Sequence, residues 1–309
     1  MAREKTRLHQ RIESGAPILI MEVSPPHSGD AAPLGELARR CAGKVHALGL
    51  SDNRDRVCMS ALAAATIVAA EGVEPILHVV TRDRNRIALM SECLGAIALD
   101  VRNVLCTSGT HTALGHFRQA RNVFDIDSIQ LLQAYRNMAV NATLVGEDSL
   151  DGSVEKTGPL CLGAVAAPMA DPLELQVMRL AKKVAAGAQF FITQPVYDVE
   201  RFTAWWSEVT RRGIHQQVAV LAGIQPLATA EAAAAAAEKR PASGVPEAVL
   251  GRIASGDGPA AQRAAGLEIA RETIERLAAL PGLRGFEICV DGDVEAALEL
   301  LETSGLGKG

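Results

Sequence analysis

The stretch Ile18–Pro26 reads I-L-I-M-E-V-S-P-P, and it decides the fold. Four apolar residues precede one carboxylate, Glu22, and two prolines close the run. A short apolar run bounded by turn signals predicts a strand buried on both faces, as in a parallel sheet. Because Pro25 and Pro26 lack the N–H that strand pairing needs, we expect the strand to end near Ser24.

Seven further apolar runs of this kind follow, and a helical pattern comes after each of them. The runs are Lys44–Leu50, Glu74–Val80, Val101–Cys106, Leu160–Ala166, Gln189–Thr193, Gln217–Leu221 and Leu283–Val290. Strands that alternate with helices indicate parallel crossover units. Eight such units over this length favour an α/β fold of the (β/α)8 TIM-barrel type, as a single domain spanning residues 1–309, over a doubly wound sheet. No dinucleotide-binding or P-loop glycine motif follows a strand, so those folds have no support.

The helical patterns carry their own start and stop signals. Asp171 and Pro172 are the predicted N-cap and first residue of one helix, and Gly187 and Gly72 are predicted to end helices. Further helices are expected at Leu34–Cys41, Met59–Ala70, Ile87–Leu99, within Val123–Leu144, at Glu200–Arg212, two or three times in Ala228–Leu280, and at Val294–Thr303. An N-terminal helix is expected within Arg3–Ser14, before the first strand. Val145–Pro159 is predicted to be a surface loop, and the last six residues a flexible tail.

Composition narrows the class of protein. The chain is 48% hydrophobic, 22% charged and only 3% aromatic, so an aliphatic core is expected. A net charge of −5 with interspersed signs disfavours nucleic-acid and anionic-membrane partners. No apolar signal region or membrane-length apolar run is present, so we expect a soluble, cytoplasmic protein. The six cysteines form no C-x-x-C pair and are predicted to be reduced core residues rather than disulfides or zinc ligands.

In a barrel, the residues that follow the strands converge on one mouth. Here that set is polar but holds few carboxylates, without a metal-type cluster and without a serine or cysteine beside a base. It suits the binding of a planar heterocycle with modest proton transfer. Its members are Glu22, Ser51, Asp52, His78, Arg82, Asp83, Thr107–Thr110, Ala167, Gln194, Gly223 and Asp291.

Four residues each allow a functional and a structural interpretation. Desolvation raises the pKa of a carboxyl group among apolar neighbours, which suits Glu22 to general acid catalysis; the alternative is a glutamate paired with an arginine at the barrel rim. His78, inside an apolar strand, could equally be a core histidine with its partners satisfied. The amide of Gln194 matches the edge of a pterin or flavin, or caps a strand end. Lys183, taken alone, predicts a solvated lysine.

Several longer stretches carry a resemblance to a known family. They are M-E-V-S-P-P, S-D-N-R-D-R-V, E-P-I-L-H-V-V-T-R-D-R-N, N-V-F-D-I-D-S-I-Q-L-L and K-K-V-A-A-G-A-Q-F-F-I-T-Q-P-V-Y-D. The last is the most specific of the five. In these stretches the chain resembles the methylenetetrahydrofolate reductases, close to the short bacterial catalytic barrel, over nearly its whole length.

The resemblance implies a flavin-dependent barrel that reduces 5,10-methylenetetrahydrofolate to 5-methyltetrahydrofolate in one-carbon metabolism. It implies FAD, or alternatively FMN, reduced by NAD(P)H or by a protein electron donor, and either a homo-oligomer or a complex with a second redox subunit. Glu22 then resembles the acid that protonates N10 of the folate, and Gln194 resembles the pterin contact. The residues that resemble flavin contacts are Ser51, Asp52, His78, Ser108, Gly109, Thr110 and Lys183.

The chain departs from the family pattern at the flavin. Thr110 stands where members usually carry an aspartate beside the flavin ring, and the loss of that negative charge is expected to raise the flavin potential. A tyrosine common at the end of strand five is missing from L-G-A-V-A-A-P. Two alternatives therefore stay open: a divergent paralogue that binds folate without flavin chemistry, and a subunit of a larger electron-transfer complex.

Overall fold

Eight strands in chain order form a closed parallel barrel in the computed structural model, as the sequence predicts. The structure describes residues 4–54, 56–115, 117–144, 150, 158–238, 244–290 and 292–306. The strands are β1 (Ile18–Val23), β2 (Ala47–Leu50), β3 (Pro75–Val80), β4 (Asn103–Thr107), β5 (Cys161–Ala166), β6 (Phe190–Pro195), β7 (Ala219–Ile224) and β8 (Gly285–Cys289).

Helices alternate with these strands throughout the described ranges. They are α1 (Arg7–Ser14), α2 (Ala32–Cys41), α3 (Ala61–Ala70), α4 (Arg86–Ala98), α5 (Ser128–Asn141), α6 (Leu173–Ala186), α7 (Val199–Arg211), α8 (Ala230–Glu238), α9 (Glu247–Ala254), α10 (Pro259–Ala278) and α11 (Val294–Thr303). The (β/α)8 architecture is therefore confirmed. So are the N-terminal helix before β1 and the three helices between β7 and β8.

The first strand has the predicted limits and burial. All six residues of β1 are buried, and the strand ends two residues before Pro25. Other strands begin later than their apolar runs; β2, for example, begins at Ala47 rather than Lys44. The N–H groups of Lys44 and Val45 instead donate to the carbonyl of Cys41, which ends α2. The half-buried Val45 therefore lies in a turn without strand pairing, so an apolar residue next to a strand does not by itself mark where the strand begins.

One predicted helix start is wrong and its predicted end is right. Helix α6 begins one residue after Pro172, whose carbonyl accepts N–H groups of the first turn. Asp171 is therefore not the N-cap, and its carboxylate pairs with Arg201 at 2.8 Å. Gly187 ends the helix at φ +116°, a backbone conformation that favours glycine.

By its internal contacts the chain divides into two compact units. The first comprises most of the N-terminal segment and of Glu22–Val165, together with Lys182–Phe190. The second comprises Pro17–Met21, Ala166–Ala181 and most of the chain from Phe191 onward. Inside the second unit the alanine-rich α8 packs its small side chains into an apolar cluster. The cluster consists of Tyr197, Leu227, Ala233, Ala236, Ile253 and Ile269.

The remaining sequence predictions fall partly outside the described residues. Most of the predicted loop Val145–Pro159, the mouth residue Asp291 and residues 307–309 of the tail belong to that part. All six cysteines are described and none forms a disulfide; five are buried and Cys58 is half-buried. Within the described ranges, no helix is both long enough and apolar enough to cross a membrane.

Candidate active site

Glu22 lies near the end of β1 with a buried side chain, and it is not an isolated carboxylate. Nη1 of Arg54 lies 3.0 Å from its Oε2 atom, and Nδ1 of His78 lies 3.8 Å from its Oε1 atom. The expectation of an unpaired carboxylate among apolar side chains is thereby corrected. The alternative of an ion pair with an arginine describes the geometry found. The polar segment that follows β2 supplies this arginine.

His78 is buried in β3, and burial lowers its pKa below the ordinary value of 6.5. The charge of Glu22 opposes this shift and that of Arg54 adds to it. Among the described residues its Nε2 atom has no hydrogen-bond partner. A Cβ atom on Gly49 would lie 2.8 Å from Nε2, so glycine leaves the space that the ring occupies. A neutral imidazole beside Glu22 is the result.

Asp52 is a buried carboxylate that joins neighbouring elements of the first unit. It pairs with Arg84 and accepts the backbone N–H of Val80 at 3.0 Å. Burial raises the pKa of Asp52, and the charge of Arg84 opposes the rise. Arg84 also lies 3.3 Å from Glu92 of α4. The carboxylate predicted to contact a cofactor therefore has a structural role between β2, β3 and α4.

Arg82 is a buried cation that holds three mouth segments together. It binds both carboxylate oxygens of Asp83 at 2.7 Å. It also donates to the carbonyl of Asn53 at 2.8 Å and to that of Thr110 at 3.1 Å. The segments after β2, β3 and β4 are thus joined by one side chain, and the backbone at Thr110 is held in place while its side chain stays exposed.

The predicted serine and glycine contacts are already bonded or packed within the protein. The hydroxyl of Ser51 donates to that of Ser24 at 3.0 Å. The hydroxyl oxygen of Ser108 accepts the N–H of Ser128 at 3.2 Å, at the start of α5. Gly109 has φ +79°, and a Cβ there would lie 2.7 Å from a β3 side chain. These residues shape the mouth through internal contacts.

Lys183 is buried, in contrast to the solvated lysine that its position alone predicts. It lies on α6 with a side chain about 8% exposed, and its Nζ donates to the carbonyl of Val165 at 2.6 Å. Val165 is the penultimate residue of β5. A buried ammonium at a strand end is a group that attracts anions.

Gln194 belongs to the second unit, near the end of β6. Its Oε1 atom is buried and has no hydrogen-bond partner in the part of the chain that the structure describes. Gly223 lets β7 come close here, because a Cβ would lie 2.5 Å from the carbonyl oxygen of Thr193. A buried acceptor without a protein donor costs free energy unless a ligand or water supplies one.

Sequence reasoning missed Arg54 and gave Arg82 no role. Both lie in stretches that carry the resemblance, Arg54 in S-D-N-R-D-R-V and Arg82 in V-V-T-R-D-R-N. The available signal was that each arginine lies within four residues of a strand end, in a segment that also holds an aspartate. Within the first unit the structure brings Glu22, Arg54 and His78 together, and it places Asp52 in a separate ion pair.

Comparisons with known proteins bear on the fold and the family. A protein from Clostridium thermocellum, described as uncharacterised and as binding two copies of 5-methyl-5,6,7,8-tetrahydrofolic acid, superposes with a TM-score of 0.66 at 13% identity over 95% of this chain and 97% of that one. A long-chain alkane monooxygenase superposes with a TM-score of 0.51 at 12% identity, over 93% and 89% of the two chains. These likenesses show the fold. No curated protein matches the sequence.

The family itself is decided by a sequence model rather than by these superpositions. The model described as methylenetetrahydrofolate reductase matches residues 7–305, which is nearly the whole chain. The match covers every strand of the barrel and both units. The chain therefore belongs to the methylenetetrahydrofolate reductase family.

Proposed function

We propose that this chain is a flavin-dependent reductase that converts 5,10-methylenetetrahydrofolate to 5-methyltetrahydrofolate, with Glu22 as the general acid. The observation that carries the proposal is the buried Glu22 carboxyl group near the end of β1 in a barrel of this family. A structural neighbour that binds 5-methyltetrahydrofolate gives further support to the substrate class.

Glu22 has a defined task in this reaction. Protonation of N10 opens the five-membered ring of the folate and produces an electrophilic carbon that can accept hydride. A positioned general acid contributes about 10²- to 10⁴-fold to such a step. The buried position of Glu22 keeps water from competing for the proton. The neutral ring of His78 limits the positive charge that faces the carboxyl group.

Each unit, taken by itself, holds one buried group that suits a flavin or a pterin. The buried ammonium of Lys183 suits a phosphate group, and the buried Oε1 atom of Gln194 suits an N–H donor of a pterin or flavin ring. When bound, the flavin supplies the hydride. FAD or FMN, with NAD(P)H or a second redox protein as electron donor, completes the proposal. We propose further that the protein acts in the cytoplasm, in methionine biosynthesis, either as a homo-oligomer or in a complex with a second redox subunit.

A second candidate function is folate binding without flavin chemistry, as a paralogue or as a subunit of an electron-transfer complex. The internal bonds of Ser51, Asp52 and Ser108 favour it, because side chains expected at the flavin already have protein partners. The replacement of the usual aspartate by Thr110 favours it too.

One absorbance experiment separates the two functions. For the reductase we expect a purified protein that is yellow, or one that retains flavin absorbance after incubation with FAD and removal of the free flavin. Its flavin absorbance bleaches with a reductant under anaerobic conditions and returns when methylenetetrahydrofolate is added, with 5-methyltetrahydrofolate as the product. A protein that binds folate but retains no flavin absorbance after incubation with FAD or FMN and removal of the free flavin refutes the first proposal and supports the second.

A further inference from the structure

The contact between Arg54 and Glu22 joins a partly exposed side chain to a buried one. The side chain of Arg54 is 32% exposed and that of Glu22 is 10% exposed, with 3.0 Å between Nη1 and Oε2. Arg54 belongs to the segment between β2 and α3, which contains no helix or strand in its described residues. The guanidinium therefore approaches the carboxylate from the solvent-accessible side.

The backbone that carries Arg54 is held firmly one residue earlier. The carbonyl of Asn53 accepts a bond from the buried Arg82, and its Oδ1 atom accepts the N–H of Cys58 at 2.9 Å. Asn53 itself has φ +46°, a conformation that asparagine tolerates better than most residues. The long side chain of Arg54 can thus change position while its attachment point stays fixed.

The ion pair conflicts with the proposed task of Glu22. A guanidinium keeps its proton under all ordinary conditions, so Arg54 acts only as a hydrogen-bond donor and occupies the Oε2 atom of Glu22. A general acid has to carry a proton and direct it at the substrate. Within the described residues of the first unit, the titratable groups near the carboxylate are Arg54 and His78. Burial keeps His78 neutral, so Arg54 supplies the positive charge of this set.

We infer that Arg54 is a positioning residue that locks Glu22 in the absence of folate and is displaced into solvent when folate binds. This inference rests on the proposed function and adds a step to it. Binding energy from the folate is spent on breaking the ion pair, and the released carboxyl group is then available to take up and donate a proton. The lock also keeps the buried carboxylate paired in the empty enzyme, where an unpaired charge is costly.

A lock predicts an unusual direction for the effect of its removal. If Arg54 competes with folate for Glu22, Arg54→Gln tightens the binding of 5-methyltetrahydrofolate, measured by titration calorimetry on the full chain. We expect the dissociation constant to fall about 1.5- to fivefold, the range for breaking a partly exposed ion pair. The KM for methylenetetrahydrofolate should fall in the same proportion. Arg54→Lys keeps a charge without the planar fork, so its gain should be smaller.

The same segment offers a matched control. Arg56 is exposed two residues later, and Arg56→Gln makes the same chemical change away from Glu22. We expect it to leave the dissociation constant and the KM unchanged. Arg54→Met serves as a second neutral variant if the glutamine variant folds poorly, and circular dichroism establishes folding for each protein.

Each outcome decides a different point. If Arg54→Gln and Arg54→Met are folded but bind 5-methyltetrahydrofolate less tightly, Arg54 is a substrate contact and the lock is refuted. Unchanged affinity also refutes it, because no ion pair was then being broken. In both cases wild-type turnover leaves the proposed reductase function standing. If the wild-type protein binds no folate, the proposed function falls and the lock falls with it.

Discussion

Replacing Glu22 by glutamine tests the central chemical assignment, because it removes the proton and charge while keeping the size of the side chain. If Glu22 is the general acid, turnover should fall about 10²- to 10⁴-fold, which corresponds to roughly 3–5 kcal/mol of transition-state free energy. Folate binding should persist, and it should tighten if Arg54 is a lock, since the amide gives the guanidinium a weaker partner.

The same substitution should leave the fold nearly intact, and the structure gives the reason. At 3.0 Å the attraction between Arg54 and Glu22 is about 5–6 kcal/mol at an effective dielectric constant of 20. Most of that is offset by the desolvation of the buried carboxylate, and Arg54 regains water when it is released. A net loss of about 1 kcal/mol is expected, or a fall in Tm of roughly 1–3 °C. If Glu22 is the general acid, Glu22→Gln should therefore show a large loss of activity with only a small loss of stability.

The assay is single-turnover formation of 5-methyltetrahydrofolate by enzyme carrying reduced flavin, with calorimetry for the Tm. Glu36→Gln is a matched control, since Glu36 is an exposed glutamate on α2. Turnover by Glu22→Gln within threefold of wild type would refute the reasoning. Equal losses in both variants would show that the effect is not specific to Glu22.

Three further predictions concern the buried histidines, the close approach of Phe190 to Gly163, and the charge at position 110. Burial lowers the pKa values of His78 and His9 below 6.5, so the unfolded chain binds protons first as the pH falls, and the free energy of unfolding should decrease below about pH 6.5. Urea titrations near pH 7.5 and 5.5 measure this, and an unchanged dependence in His78→Gln would contradict it. Gly163→Ala places a methyl group 2.2 Å from the ring of Phe190 and should cost about 1–3 kcal/mol of unfolding free energy, which Phe190→Leu in the same chain should partly recover. Unchanged thermal unfolding of the alanine variant would exclude that clash. Thr110→Asp introduces a negative charge at the position where the family resemblance implies an aspartate, so the flavin potential should fall, by an amount on the order of 30 mV in spectroelectrochemical titration. An unchanged potential would place Thr110 away from the ring.

Much of the fold was predictable because it depends on short-range patterns. The prolines after β1 fix where pairing must stop, and Gly187 and Gly72 fix helix ends through backbone conformations that favour glycine. The order of strands and helices then fixes a parallel barrel. Strand starts were less predictable, because Lys44 and Val45, which belong to the apolar run of β2, lie in the turn that follows α2. Asp171 was misassigned because the local N-cap pattern competes with an ion pair to Arg201, thirty residues away.

The candidate site was less predictable because its ion pairs join residues that lie far apart in the sequence. The sequence places Asp52 and Glu22 at strand ends. It does not show that Asp52 pairs with Arg84 and Glu22 with Arg54. Lys183 shows the same limit: in sequence it is one of two adjacent lysines on a helix, and only the packing of α6 against the barrel buries it beside β5. Periodicity identifies a helix, whereas the direction of a long polar side chain depends on the tertiary structure.

Arg54, Arg82 and Arg84, which follow β2 and β3, all pair with carboxylates, but they differ in burial and in the number of their contacts. Arg82 is 8% exposed in its side chain and bonded to two backbone carbonyls besides Asp83, and Arg84 is 23% exposed between Asp52 and Glu92. Such pairs are costly to break once one partner is removed, so they hold the mouth segments rigid. The side chain of Arg54 is 32% exposed and loses less when it moves into water. Arg82 fixes the carbonyl of Asn53, the residue before Arg54. Arg54 can therefore release Glu22 without disturbing the scaffold. A site that must hold a buried acid ready needs this combination of a rigid frame and one adjustable contact.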